Sequence, residues 1–321
     1  MTTHSIPAPV HQDDFFGKRL KSVFLSDHVK CAATLHLPEG DDLKGLTAIL
    51  MMHGWGGIQG ALDEPFIRCF AKAGFAVLTF DYPGWGHSEG LPRNDINPWK
   101  RVSCADSALA HLKSMPEVDA TRVVLWGTSF GGGHAIELAS EHPELLGAIA
   151  QVPMLDGRDS VKATPLPRLV RLGMNAIVDS LSPKNRVYIP VVAPAGQFGS
   201  MDRDGAHESL LKGIDQSRSR YDNRVAARSL LTMGLYRPIK RLKNIRIPTL
   251  LIGASRDSVA PFIESKLQSM NVSFITLRTL DANHFEPYFE PVLSKNLALQ
   301  LEFLESITDK QEGVGGSSTK R

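Results

Sequence analysis

Short apolar runs alternate with longer amphipathic stretches along most of the chain, and this alternation limits the fold more than any other feature. Residues 47–52, 75–80, 123–126, 146–152, 248–252 and 274–277 have strand length and are almost continuously apolar or β-branched. That is the pattern of strands covered on both faces. Between them, residues 66–73, 99–112 and 132–140 read as helices, and 291–304 as a last helix that closes the fold. Strands and helices in alternation predict an α/β fold with a doubly wound, mostly parallel sheet. Ahead of it, residues 19–25 and 29–37 read as an antiparallel pair at the sheet edge, turning at Ser26 and Asp27.

The alternation breaks once, between about residues 155 and 240. This segment begins after a strand and ends before one, so it reads as an insertion into a single core. The expected organisation is a core from 17–154 and 241–308, an inserted cap from 155–240, an N-terminal arm (1–16) and a disordered tail (309–321). Within the cap, Leu166, Leu169, Val170, Gly173 and Ile177 mark an amphipathic helix. Residues 187–194 form a proline-rich strand-like run, and a further helix is predicted from about 221 to 234. Basic residues outnumber acidic ones here, Arg218, Arg220, Arg224 and Arg228 among them. They read as a solvated helix face, with a mild preference for acidic substrates as the alternative.

Composition excludes more than it identifies. The 321 residues are 42% apolar and 22% charged, ordinary for a globular chain, and a net charge of +2 points to no nucleic acid or membrane surface. Cys31, Cys69 and Cys104 are too few and too scattered for a disulfide framework or a zinc site. No secretory signal and no uninterrupted apolar stretch of membrane-spanning length is present, so a cytoplasmic protein is expected. No cofactor and no metal is expected. The partner expected is a small, largely apolar acyl substrate, and a homodimer stays open.

The chemistry is carried by Gly127-Thr128-Ser129-Phe130-Gly131. Gly-x-Ser-x-Gly alone is weak, but here the serine directly follows the strand 123–126, and Gly131-Gly132-Gly133 opens the next helix. So tight a turn strains the serine backbone and needs glycines where a Cβ would collide. The helix N-terminus then places partial positive charge where an oxyanion would form. A serine that only caps the helix is the alternative. A hydroxyl needs a base, and the base an orienting acid. Asp257 follows the strand 248–252 and His284 the strand 274–277, both in loops at strand ends and in the order Ser, Asp, His. Asp281 and Asp156 are the rivals for the acid, and Asp281 also reads as a turn residue.

For an oxyanion hole the sequence offers the backbone N–H of Phe130 and, from His53-Gly54-Trp55-Gly56-Gly57, that of Trp55, whose indole would wall the pocket. His53 reads as a structural hydrogen-bonding residue. Asp81 to Gly90 is turn-rich, fails the dinucleotide pattern, and has Asp81 organising the turn. Tyr82 and Trp85 are candidates for the acyl pocket, with plain packing as the alternative. Phe198 is a third candidate, from the cap.

These residues together resemble the α/β-hydrolase superfamily over nearly the whole chain. Residues 125–134, 149–153 and 155–157, with 221–228 and 236–238 of the cap, look like a narrower group. It holds dienelactone-hydrolase-like esterases, Xaa-Pro-peptidase-like hydrolases and fungal polyketide transferases. The resemblance implies a triad of Ser129, Asp257 and His284 and a hole from Trp55 and Phe130. The expected function is a serine hydrolase acting on an ester, thioester or lactone, with acyl transfer to an alcohol as the alternative. A non-catalytic ligand receptor on the same fold is a remote third reading.

Overall fold

The computed structural model describes residues 17–41, 43–61, 64–182, 186–203, 205–212, 214 and 220–315. The expected N-terminal arm and the end of the expected tail lie outside them. β1 (Lys18–Ser26) and β2 (Val29–Leu37) form the antiparallel edge hairpin. Asp27 and His28 close it at φ 47° and 65°, the left-handed pair that the hairpin's twist demands. There follow β3 (Leu46–Met52), α1 (Glu64–Lys72), β4 (Ala76–Phe80), α2 (Pro98–Lys113), β5 (Val118–Thr128), α3 (Phe130–Glu141) and β6 (Gly147–Gln151). Between β6 and β9 lie α4 (Gly157–Lys162), α5 (Leu166–Leu181), β7 (Tyr188–Pro190), α6 (Ala206–Lys212), β8 (Arg224–Ala226) and 3-10 runs at Ala227–Leu235 and Pro238–Asn244. β9 (Thr249–Ala254), α7 (Glu264–Gln268), β10 (Ile275–Leu280) and α8 (Val292–Gly315) complete the chain.

The main sheet has the order β1-β2-β4-β3-β5-β6-β9-β10, parallel from β4 to β10. Its strands are apolar on both faces because both are covered. Leu50, Leu78 and Leu125 pack on the α2 and α3 side, with Cys104, Leu109 and Ile136. Ile49, Val77, Val124 and Trp126 pack on the α1 side, with Phe66, Phe70 and Leu304 of α8. From β3 the chain moves outward one way to β4, and from β5 the other way to β6. The crevice outside the carboxyl ends of β3 and β5 is therefore the topological switch point, where such sheets place ligands.

A buried polar network ties α8 to that crevice. Gln151, the last residue of β6, donates from Nε2 to Thr128 Oγ1 (3.2 Å) and accepts at Oε1 from Asn296 Nδ2 (2.6 Å) and Gln300 Nε2 (2.8 Å). Trp126 Nε1 donates to Gln300 Oε1 (2.7 Å), and the Thr128 hydroxyl meets the Tyr288 hydroxyl.

Two expectations are corrected. The helix predicted from about 221 to 234 is instead β8 and a 3-10 run. β8 is captured by pairing with β7, and the Asp179 carboxylate accepts from the amides of Val187 (2.9 Å) and Arg228 (3.0 Å). The tail expected to be disordered from residue 309 is helical to Gly315. Asp309-Lys310-Gln311-Glu312 brings mostly good helix formers that extend α8 by its own propensity.

Gly131 shows how tightly the strand ends converge. A Cβ there would lie 2.1 Å from the Met52 carbonyl oxygen and 2.6 Å from that of His53. Gly131→Ala is expected to cost about 1–3 kcal/mol through overpacking. Denaturant titration checks it, and an unchanged midpoint would show that the contact yields freely.

Candidate active site

Ser129 sits between β5 and α3 at φ 55° and ψ −120°. For a residue with a Cβ this is strained backbone, costing on the order of 1–3 kcal/mol, and only an over-determined surrounding holds it. The surrounding is visible. The Ser129 amide donates to Gln151 O (2.9 Å), and its carbonyl accepts from the amides of Gly132 (3.0 Å) and Met154 (2.9 Å). The turn is thereby stitched to the end of β6, and the hydroxyl is thrust out above the sheet.

His284 and Asp257 meet this hydroxyl from two later strand ends. His284 lies beyond β10, where Asn283 Oδ1 accepts from the amides of Phe285 (2.8 Å) and Glu286 (3.0 Å) and fixes the loop. Its Nε2 is 2.9 Å from Ser129 Oγ, and its Nδ1 is 2.6 Å from Asp257 Oδ2. Asp257 Oδ1 accepts from the amides of Val259 (2.8 Å) and Ala260 (2.7 Å). Both carboxylate oxygens are thus satisfied although the side chain is inaccessible to solvent, which removes the cost of an unpartnered buried acid. The rivals are elsewhere. Asp281 is exposed and bonds to Ser255 and Arg256. Asp156 caps α4 and holds Arg237 in a two-point pair.

The loop after β3 lies directly over Ser129. A Cβ on Gly54 would stand 3.1 Å from Ser129 Cβ. Neither the Trp55 nor the Phe130 amide has an acceptor among the described residues. The Trp55 indole donates to Ser200 Oγ (3.0 Å) and meets the Phe130 ring edge-on, with 5.3 Å between centroids.

Ser129 opens into two cavities. The larger, about 350 Å³, is walled by Trp55, Phe130 and Met154 from the core, and by Leu169, Leu172 and Met233 from the segment between β6 and β9. The smaller, about 30 Å³, lies between Ser129, His284, Gly54 and Tyr288.

Tyr82 and Trp85 line neither cavity, so of their two readings the plain packing holds and the pocket reading is corrected. Asp81 draws their loop back into the core by accepting from the amides of Gln59 and His87 (both 2.9 Å). Tyr82 then packs on Phe80 and His53, and the Trp85 indole donates to Asp95 O (3.0 Å). Phe198 is half-buried under the Arg171 guanidinium, 3.9 Å away, and also lines neither cavity. Arg224 pairs with Asp222, and Arg228 lies against Asp95 and Asp179. Arg218 is outside the described residues. Sequence reasoning missed Met154, Met233 and Ser200, because wall contacts made across an insertion leave no local pattern. Among the described residues, no cluster of His, Cys, Asp and Glu could hold a metal ion, and no helix is long and apolar enough to cross a membrane.

Residues 45–273 match the family described as serine aminopeptidase, S33. The chain belongs to this family. It is an α/β-fold hydrolase. It is 32% identical to the quorum-quenching protein AidA of Acinetobacter baumannii, over 91% of this chain and 98% of that one. It is 27% identical to the thiohydrolase aneE of Aspergillus aculeatus, over 45% of each chain. The same identity relates it to the polyketide transferase grgF of Penicillium sp., over 47% of this chain and 51% of that one. The crystal structure of the α/β-hydrolase GrgF superposes with a TM-score of 0.72, covering 90% of this chain and 98% of that chain at 22% identity.

Two buried histidines set an acid limit on the fold. Burial, reinforced by the Arg101 charge, holds His53 at about 3, and burial, reinforced by Arg19, holds His36 there too. Between pH ~6.5 and ~3 the unfolded chain therefore binds protons that the folded chain does not. Stability falls as pH falls through this window, by about 1.4 kcal/mol per pH unit for each histidine. Denaturant midpoints followed from pH 7 to 4.5 check this. His53→Asn is expected to remove one histidine's share of the slope, and an unaltered slope would contradict the assignment.

Proposed function

We propose that this hydrolase opens a carboxylic ester, thioester or lactone through an acyl-enzyme on Ser129. The observation that carries the reading is the continuous pair of contacts from Ser129 Oγ to His284 Nε2 (2.9 Å) and from His284 Nδ1 to Asp257 Oδ2 (2.6 Å).

The steps follow from that geometry. As Ser129 Oγ attacks the carbonyl carbon, its proton passes to His284 Nε2. His284 Nδ1–H donates to Asp257, which fixes the tautomer and stabilises the imidazolium. The carbonyl oxygen, now an oxyanion, accepts from the Phe130 and Trp55 amides, each worth about 2.7–4 kcal/mol in the barrier. His284 then gives the proton to the leaving alkoxide or thiolate. In the second half His284 takes a proton from water, the resulting hydroxide attacks the acyl carbon, and Ser129 regains its proton as it leaves.

The cavity supports an apolar group on one side of the scissile bond. Its 350 Å³ falls at the small end of ligand sites. Residues 155–240 act as its lid, with α5 presenting Leu169, Leu172 and Ala176 to it. The smaller cavity, beside Ser129 and His284, has about the volume of one water. This favours water as the acceptor. The likeness to a polyketide transferase favours a second reading, in which an alcohol enters through the larger cavity and receives the acyl group. The quorum-quenching and thiohydrolase relatives support acyl substrates in general.

A fluorophosphonate probe is expected to label Ser129, and Ser129→Ala to lose both label and ester turnover. Full turnover by that variant would sink the reading. Asp257→Asn is expected to lower kcat on the order of 10⁴-fold. Leu172→Trp, which fills the cavity, is expected to raise KM for a long-chain ester while sparing an acetate ester, and equal effects on both would place the acyl chain elsewhere.

A further inference from the structure

α2 buries one face through Arg101, Cys104, Ala105, Ala108, Leu109 and Leu112. Five of these are apolar and one is a cation. Arg101 is 3% exposed and makes no ion pair among the described residues. Among the described residues its only hydrogen bond runs from Nη1 to Gly54 O (3.3 Å), and Nε and Nη2 are buried without a partner there. The guanidinium rests on the faces of Tyr82 (4.4 Å) and Trp85 (5.2 Å). Burial pushes it down to about 10, so it stays charged at neutral pH. His53 and His134 beside it are held neutral by burial and by that same charge. A positive charge with no direct ion pair among the described residues, offset only in part by the Asp95 charge, therefore lies under the active site. A buried charge without a partner is a liability of several kcal/mol to a fold, and nothing in the packing of α2 calls for it.

Gly54 O belongs to the same peptide unit as the Trp55 N–H. In a trans peptide the two point to opposite sides. Arg101 donates to the carbonyl of this peptide, and a Cβ on Gly54 would come within 3.1 Å of Ser129 Cβ. The Gly57 amide (3.2 Å) and His53 Nδ1 (3.3 Å) also hold this oxygen, and of the three only Arg101 brings a charge.

We infer that Arg101 is the positioning residue of the oxyanion hole: it orients the Gly54–Trp55 peptide and, through it, polarises the Trp55 N–H toward the oxyanion formed at Ser129. A donor whose own carbonyl is bonded to a cation is a stronger donor. A fixed charge in a dry interior also stabilises negative charge that appears only in the transition state. Tyr82 and Trp85 take their place in this arrangement as the aromatic bed of the cation.

The inference rests on the Ser129 reading, and the two fail differently. Retained turnover in Ser129→Ala removes both, whereas indifferent Arg101 variants remove only this one. The test is the kinetics of Arg101→Met, Arg101→Gln and Arg101→Lys on an activated ester, with rates normalised to sites titrated by a fluorophosphonate. Inhibition by an alkyl boronic acid, whose adduct on serine mimics the tetrahedral intermediate, is measured in parallel with thermal melting. For Arg101→Met we expect kcat to fall on the order of 10–100-fold, KM to stay within about twofold, and the boronate inhibition constant to rise by the same factor as kcat falls. Its melting temperature should be equal or higher, since a buried unpaired charge is gone. Arg101→Gln should be impaired similarly, and Arg101→Lys should recover part of kcat. If Arg101→Met does not fold, the Gln and Lys forms give the same comparison. Unchanged kcat and boronate affinity per titrated site, or losses in KM alone, would overturn the inference.

Discussion

The strained backbone of Ser129, at φ 55° and ψ −120°, is the constraint on which the rest of the site depends. Strain of this kind survives only where neighbouring backbones leave no room for relaxation. Here the ends of β3, β5 and β6 close in together. Gly127 and Gly131 are so near each other that a Cβ on Gly127 would lie 2.2 Å from the Gly131 carbonyl oxygen. The Gln151 carbonyl takes the Ser129 amide, and the Gln151 side chain runs on to Asn296 and Gln300 of α8. The last helix of the chain thereby braces a turn in its middle. The reward is geometric: the hydroxyl leaves the sheet at the one point where loops from β3, β9 and β10 can all reach it.

Electrostatics at this point are uneven in a purposeful way. The acid is fully compensated, since Asp257 meets His284 on one oxygen and two amides on the other. The cation under the β3 loop has no direct ion pair among the described residues and is offset only in part, by the Asp95 charge. The histidines that share its surroundings, His53 and His134, are held neutral by burial and by that same charge. Ser129 and Arg101 each carry a stability cost, the first in backbone strain and the second in a buried charge, and both lie at the loop after β3. The polar networks of Gln151 and Asp81, each well satisfied, offset them by holding strand ends and loops in place.

Much of this was legible because strand ends are where an α/β sheet can expose side chains. Ser129, Asp257 and His284 each follow an apolar run, and the chain order restricts the roles they can take. The glycines at 54, 131 and 132 announce close backbone approach, which is why Trp55 and Phe130 could be named. Tyr82 and Trp85 stayed undecided between pocket and packing because turn-rich loops beside a site often line it. This one folds inward, pulled by an Asp81 whose partners, the amides of Gln59 and His87, cannot be read from a pattern. The segment between β6 and β9 was legible only where periodicity is strong, as in α5. The stretch from 221 onward is shaped by β7 and by Asp179 rather than by its own propensity. Arg101 did leave a trace, being the one charge on the buried face of α2, but its meaning appears only with Gly54 beside it.

We propose that catalysis runs through a covalent acyl group on Ser129. Rapid mixing with excess 4-nitrophenyl ester, followed by acid quench and peptide mass mapping, tests it most directly. A burst of nitrophenol approaching one equivalent per enzyme is expected, with an acyl adduct on the peptide that carries Ser129. Steady turnover with no adduct at that residue, or an adduct that survives in Ser129→Ala, would contradict it.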